Sequence, residues 1–177
     1  MNKFKNIAII FGLFALLFAS CIEKYEPKEE TRRTIIMYLI STNSLSTSIA
    51  SDITEIEETI RLLNDMNNCR LLVYHVSYSQ APYLFEIKKV KGRIERVTIK
   101  TYTDDVRSTT VERMTEVITD AIKTAPAKEY GLVLGSHASG WASSLVARSN
   151  ITPRDFGEDY SNTMKLDELA EAIPNNT

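Results

Sequence analysis

From residue 34 onward the chain alternates between two apolar periodicities, and that alternation most restricts its fold. Residues 34–41 are a short run rich in apolar and β-favouring side chains, the pattern of a strand covered on both faces. Ile49, Ile53, Ile56, Ile60 and Leu63 then step by three and four, which lines one face of a helix; Asp52, Glu55, Glu57 and Glu58 load its N-terminal half with negative charge. A second strand is predicted over 70–78. Residues 83–90 and 94–102 flank Lys91-Gly92-Arg93 as a β-hairpin. Thr109 and Glu112 have capping-box spacing before a stripe of Val111, Met114, Ile118, Ala121, Ile122 and Ala125, and Pro126 ends that helix. A third buried strand over 130–136 leads into a long polar loop. Leu166, Leu169, Ala170 and Ile173 make a last short helix. Such an order predicts an α/β domain with a mostly parallel sheet, helices on both faces and a β-hairpin insertion.

The residues before 34 have a different character. Lys3 and Lys5 precede an apolar stretch over 7–18 and the small pair Ala19-Ser20, the layout of an export signal and too short for the about 20 residues of a membrane span. Cys21 follows Leu17-Phe18-Ala19-Ser20, which resembles a bacterial lipobox with Phe18 at the usual leucine position. The expected organisation is therefore a lipoprotein signal over 1–20, a charged tether over 21–33 starting at a lipidated Cys21, and a folded domain over 34–177. Two or more acyl chains would hold such a protein on the periplasmic or cell-surface face of a membrane. Without residues 1–20 the chain has 19 basic against 23 acidic residues, so no surplus of cations exists to replace phosphate counterions and nucleic acid is excluded as a partner.

Chemistry is expected beyond the carboxyl ends of the strands. His137 sits there, in Ser136-His137-Ala138-Ser139-Gly140-Trp141, where an imidazole has a pKa suited to general base catalysis. A single loop histidine is equally a solvated or hydrogen-bonded residue, and spacing alone leaves both readings open. His75, within a predicted strand, reads as structural, and Cys69 as a small core residue. The acidic pairs Asp104-Asp105 and Glu158-Asp159 read as solvated loops rather than calcium sites, and no metal or other cofactor is assigned.

The stretch 130–141, a hydrophobic strand running into a histidine, a small residue, Gly and Trp, resembles the histidine block of the clostripain family of cysteine peptidases. Residues 34–43 resemble that family's opening strand with its terminal asparagine. Phe156-Gly157-Glu158-Asp159 and the stretch 164–173 resemble the segment leading to its nucleophile strand. The resemblance implies a caspase-like fold, a peptide or protein substrate, and His137 as general base of a Cys-His dyad. It also implies an oxyanion contact from the backbone N–H of Ala138, where relatives carry glycine. The nucleophile strand it implies would follow the last helix, whereas the sequence ends at Thr177. The expected reading is the histidine half of an exported, lipid-anchored cysteine endopeptidase, inactive alone for want of its nucleophile. A truncated chain is the favoured explanation. A processed light chain or a non-catalytic lipoprotein whose caspase-like domain binds a partner are the alternatives.

Overall fold

A computed structural model describes residues 31–138 and 155–173. The expected signal over 1–20, Cys21, most of the tether, Ser139, Gly140 and Trp141 lie outside the described residues. Elements follow in the order β1 (Arg33–Ile40), α1 (Ser46–Leu62), β2 (Cys69–Ser77), β3 (Gln80–Val90), β4 (Arg93–Thr101), α2 (Val111–Thr124), β5 (Glu129–Gly135), β6 (Asp155–Asp159), β7 (Asn162–Lys165) and α3 (Leu166–Ala172). The main sheet has the order β4-β3-β2-β1-β5. Strands β2, β1 and β5 are parallel, and the β3–β4 hairpin extends them antiparallel from β2.

Side-chain alternation on β1 divides the core. Ile36, Tyr38 and Ile40 join Leu72, Tyr74, Val76 and Leu84 under α2, whose Met114, Val117, Ile118 and Ala121 are buried. Leu39 joins Leu71, Val73, Phe85 and Ile87 under Ile49, Ile53 and Ile60 of α1. Because β1 is apolar on both faces, it sits inside the sheet, between β2 and β5, with a helix on either side, as the continuous apolar run predicts. On the α1 face, β5 carries Gly131 and Gly135; a Cβ at 135 would lie 2.5 Å from Leu39 Cδ2, so the glycine lets β5 close against β1.

Three expectations need correction. Helix α1 begins at Ser46 and has no acidic residue in its first turn, so Asp52 and the glutamates lie further along than the dipole argument requires. The cap of α2 is Thr110, whose side chain accepts from Arg113 N at 3.3 Å, rather than Thr109, which is buried. The polar stretch before α3 contains a second sheet, the β6–β7 hairpin. It carries one apolar residue per strand facing the core, Phe156 and Met164, and is held mainly by its hydrogen bonds to the strand ends.

Two buried tyrosines fix the loop before α2. Tyr38 Oη donates to Ser108 O at 2.7 Å and Tyr74 Oη pairs with Ser108 Oγ at 2.8 Å. Their rings lie 4.6 Å apart, and burial pushes the Tyr74 hydroxyl up to about 12, so it stays a protonated donor at neutral pH.

Candidate active site

The parallel register sets Leu39 of β1 opposite both His75 of β2 and Gly135 of β5, so the three strands end level with one another. The segments leaving them meet as one surface. Thr42-Asn43-Ser44 follows β1, Ser136-His137-Ala138 follows β5, and the β6–β7 hairpin closes over both.

Asn43 organises this junction. Its side-chain amide donates to Glu158 O at 2.8 Å and Ile40 O at 3.3 Å, while its carbonyl oxygen accepts from Leu45 N at 2.9 Å and turns the chain into α1. Ser136 Oγ accepts from Glu158 N at 3.0 Å. His137 is pinned through its main chain, since its carbonyl accepts from Gly157 N at 2.8 Å, and Ala138 bridges Phe156 in antiparallel fashion. The half-buried imidazole is held as well: Nε2 lies 2.8 Å from the hydroxyl of Ser44. Backbone and ring are thus held by two different segments.

Beneath this surface lies Asp159, which is 3% exposed. It is no solvated loop residue: one carboxylate oxygen accepts from Thr42 Oγ1 at 2.7 Å and the other from Ser108 N at 2.7 Å. The carboxylate therefore links the segment after β1, the loop before α2 and the hairpin that carries Gly157. Among the described residues no group of three or more His, Cys, Asp or Glu is placed to hold a metal ion.

Ala138 is exposed, and its backbone is free of the strain that alanine would suffer in place of glycine. Among the described residues, positive φ at a non-glycine occurs at Asn67, Asn68, Lys91 and Tyr160, and Ala138 is not one of them.

The other histidine has a different environment. His75 is buried, and its Nε2 lies 3.0 Å from Ser41 Oγ. That hydroxyl donates to Val76 O at 2.6 Å, so the ring is the donor through Nε2–H. Burial, aided by the Arg96 cation, pushes the imidazole down to about 4, and it stays neutral at pH 7. A depressed folded-state value means that the unfolded chain binds the proton first as pH falls. The stabilising effect is complete above about pH 6.5 and is lost toward pH 4, with a full span of ~3 kcal/mol, of which ~2 kcal/mol falls between pH 7 and pH 4.5. Urea unfolding of the wild type and His75→Gln at pH 7 and pH 4.5 checks this. The stability gap between them should narrow by about that amount at the lower pH, and a gap independent of pH would contradict it.

Cys69 departs from the core position expected of it. It opens β2 opposite Arg33, is only half-buried, and its sulfur accepts from Arg32 Nη2 at 3.4 Å. Six residues of strand, about 20 Å, separate its level from that of Gly135. His137 therefore has no access to Cys69.

A family model matches residues 37–177, and it is that of the clostripain family. The chain belongs to the clostripain family. Solved structures agree with the assignment. A secreted C11 cysteine protease from Bacteroides thetaiotaomicron, in complex with an irreversible peptide inhibitor, is 33% identical with a TM-score of 0.67; the match covers 80% of this chain and 38% of that one. A B. fragilis cysteine protease is also 33% identical, with a TM-score of 0.57, over 70% of this chain and 98% of that one. An inactive zymogen C11 protease from Parabacteroides distasonis is 34% identical with a TM-score of 0.59, over 67% of this chain and 34% of that one. A comparison with curated proteins gives no match. The present chain thus spans little more than a third of the first of these clostripain-family structures.

Ser44, Gly157 and Asp159 are the site-forming residues that sequence reasoning did not single out. The available signal was the polar run Ser41-Thr42-Asn43-Ser44 directly after an apolar strand, where a buried sheet end needs side chains to meet its free backbone groups.

Proposed function

We propose that residues 34–177 form the histidine-bearing part of a cysteine endopeptidase, exported and anchored to a membrane through lipid on Cys21, with His137 as the general base and acid. The observation that carries this reading is the imidazole at the carboxyl end of β5, fixed by Ser44 on one nitrogen and by Gly157 on its own backbone. A base that must take a proton from a thiol and return it to a leaving amine needs this kind of fixed orientation.

The sheet favours a nucleophile on the far side of β5. Among the described residues both edges of β1 and of β2 are paired and the outer edge of β5 is not, which leaves room for a further parallel strand there. That strand also has the composition of an interior one: apolar at 130, 132, 133 and 134, yet with Val133 42% exposed. A neighbouring strand there would cover it and bring a cysteine level with His137.

In the reaction so assigned, His137 takes the thiol proton and the thiolate attacks the peptide carbonyl carbon. The oxygen of the tetrahedral intermediate accepts from the Ala138 N–H. His137 gives its proton to the amine as the C–N bond breaks. It then activates the water that hydrolyses the thioester.

Expression in a bacterial host of the full-length protein, meaning this chain completed with the nucleophile strand proposed beside β5, tests the proposal. Peptide hydrolysis should appear in the membrane fraction and be abolished by iodoacetamide. Cys21→Ser should move it to the soluble fraction, and Cys69→Ser should change neither rate nor location. Hydrolysis insensitive to alkylation, or lost with Cys69, would defeat the assignment.

A further inference from the structure

The surface beyond β1, on the side of His137 away from β5's open edge, carries two exposed tyrosines that the proposed chemistry leaves unused. Tyr78, just after β2, is 59% exposed, and Tyr160, at the tip of the β6–β7 hairpin, is 49% exposed. Their rings meet edge to face with centroids 5.5 Å apart, and the Arg107 guanidinium lies 4.7 Å over the Tyr160 ring. With Thr42 and Gln80 they line a cleft of about 200 Å³.

Tyr160 is held there against its backbone preference. Its φ is +58°, a region that a turn normally gives to glycine or asparagine. A bulky residue in that conformation is strained. Its main-chain N–H donates to Thr42 Oγ1 at 3.3 Å, which couples the hairpin tip to the segment beside His137.

Reaction geometry says what passes over this cleft. If the thiolate approaches from the open edge of β5, the scissile carbonyl lies between it and His137. The same imidazole protonates the leaving amine, so the amine lies on the His137 side. The substrate residues after the scissile bond then run away from β5, across β1 and toward β2. Two strand spacings separate β5 from β2, about 10 Å, which is the reach of about three extended residues.

We propose that Tyr78, Tyr160 and Arg107 form a binding subsite for the leaving-group side of the substrate, taking an aromatic side chain two or three residues after the cleaved bond. The subsite rests on the peptidase reading above and adds a specificity to it. The exposed edges of the two rings offer stacking surface, while Thr42, Gln80, Asp104 and Arg107 make the rest of the cleft polar, which suits a flat aromatic side chain better than an aliphatic one.

The test uses the full-length protein and two substrates with the same acyl segment. One is an arylamide with nothing beyond the bond; the other is an internally quenched peptide with phenylalanine three residues beyond it. The variant is Tyr160→Asn, which accepts positive φ and should keep or raise Tm. Its kcat/KM on the quenched peptide should fall about tenfold, with less than a twofold change on the arylamide. Replacing that phenylalanine by serine should lower kcat/KM for the wild type and not for the variant. Equal loss on both substrates, or no loss on the quenched peptide, overturns the subsite while leaving the peptidase assignment standing. A wild type that cleaves neither substrate removes the peptidase assignment, and the subsite with it.

Discussion

Replacing His137 by alanine should lower kcat/KM of the full-length protein on a peptide substrate by about 10³-fold or more. Two losses combine. A thiol with an ordinary pKa near 8.5 is only about 3% ionised at pH 7, so without a base most of the nucleophile is unreactive. Proton delivery to the leaving amine is also lost, and general acid–base catalysis contributes ~10²–10⁴-fold. Ser44→Ala is the informative companion, because the hydroxyl is 2.8 Å from Nε2 and touches no substrate atom in the proposed mechanism. It should lower kcat about tenfold with little change in KM. Threonine at 44, which keeps a hydroxyl, should restore most of the rate. His75→Gln, on the buried histidine, should leave kcat/KM at pH 7 unchanged. If His137→Ala kept full thiol-dependent activity, the site would have to lie elsewhere.

The second large effect is on stability. Asp159→Ala should cost about 3–5 kcal/mol, because it orphans two buried donors, Thr42 Oγ1 and Ser108 N, and removes two hydrogen bonds to a charged acceptor. In a domain of this size that is roughly 10 °C or more in Tm. Asp159→Asn keeps one acceptor oxygen and should cost about half as much. A double-mutant cycle with Thr42→Val separates the two bonds, since the valine removes one donor and leaves the other. A loss below ~1 kcal/mol would show that the three segments hold together without the carboxylate. The same change should loosen Gly157, which holds the His137 carbonyl, so activity should fall at temperatures where the fold survives.

Much of this architecture was legible in the amino-acid order. The double-faced apolar run at 34–41 required a central strand, and the three-four spacing of Ile49, Ile53 and Ile60 required a helix over one of its faces. The histidine block placed His137 at a strand end. What escaped reading was held by hydrogen bonds instead of apolar periodicity. In β6, the run Asp155-Phe156-Gly157-Glu158-Asp159 has one apolar side chain and no alternation, yet it forms a strand because its backbone meets His137, Ser136 and Asn43. Asp159 looked solvated because a carboxylate between a glutamate and a tyrosine carries no local sign of burial. Its partners are 117 and 51 residues away.

By itself the sequence determined the fold class, the family and the identity of the loop histidine, because periodicity and a local motif are properties of neighbouring residues. Only the tertiary structure decided what surrounds the two histidines, which lie at the same end of one sheet on either side of β1. Burial and the Arg96 cation keep His75 neutral, whereas the Ser44 hydroxyl contacts the half-buried ring of His137. Tertiary structure also removed Cys69 as a partner, because parallel pairing puts the start of β2 at the opposite end of the sheet from the close of β5. Contacts of this kind join residues distant in the chain, and no local pattern records them.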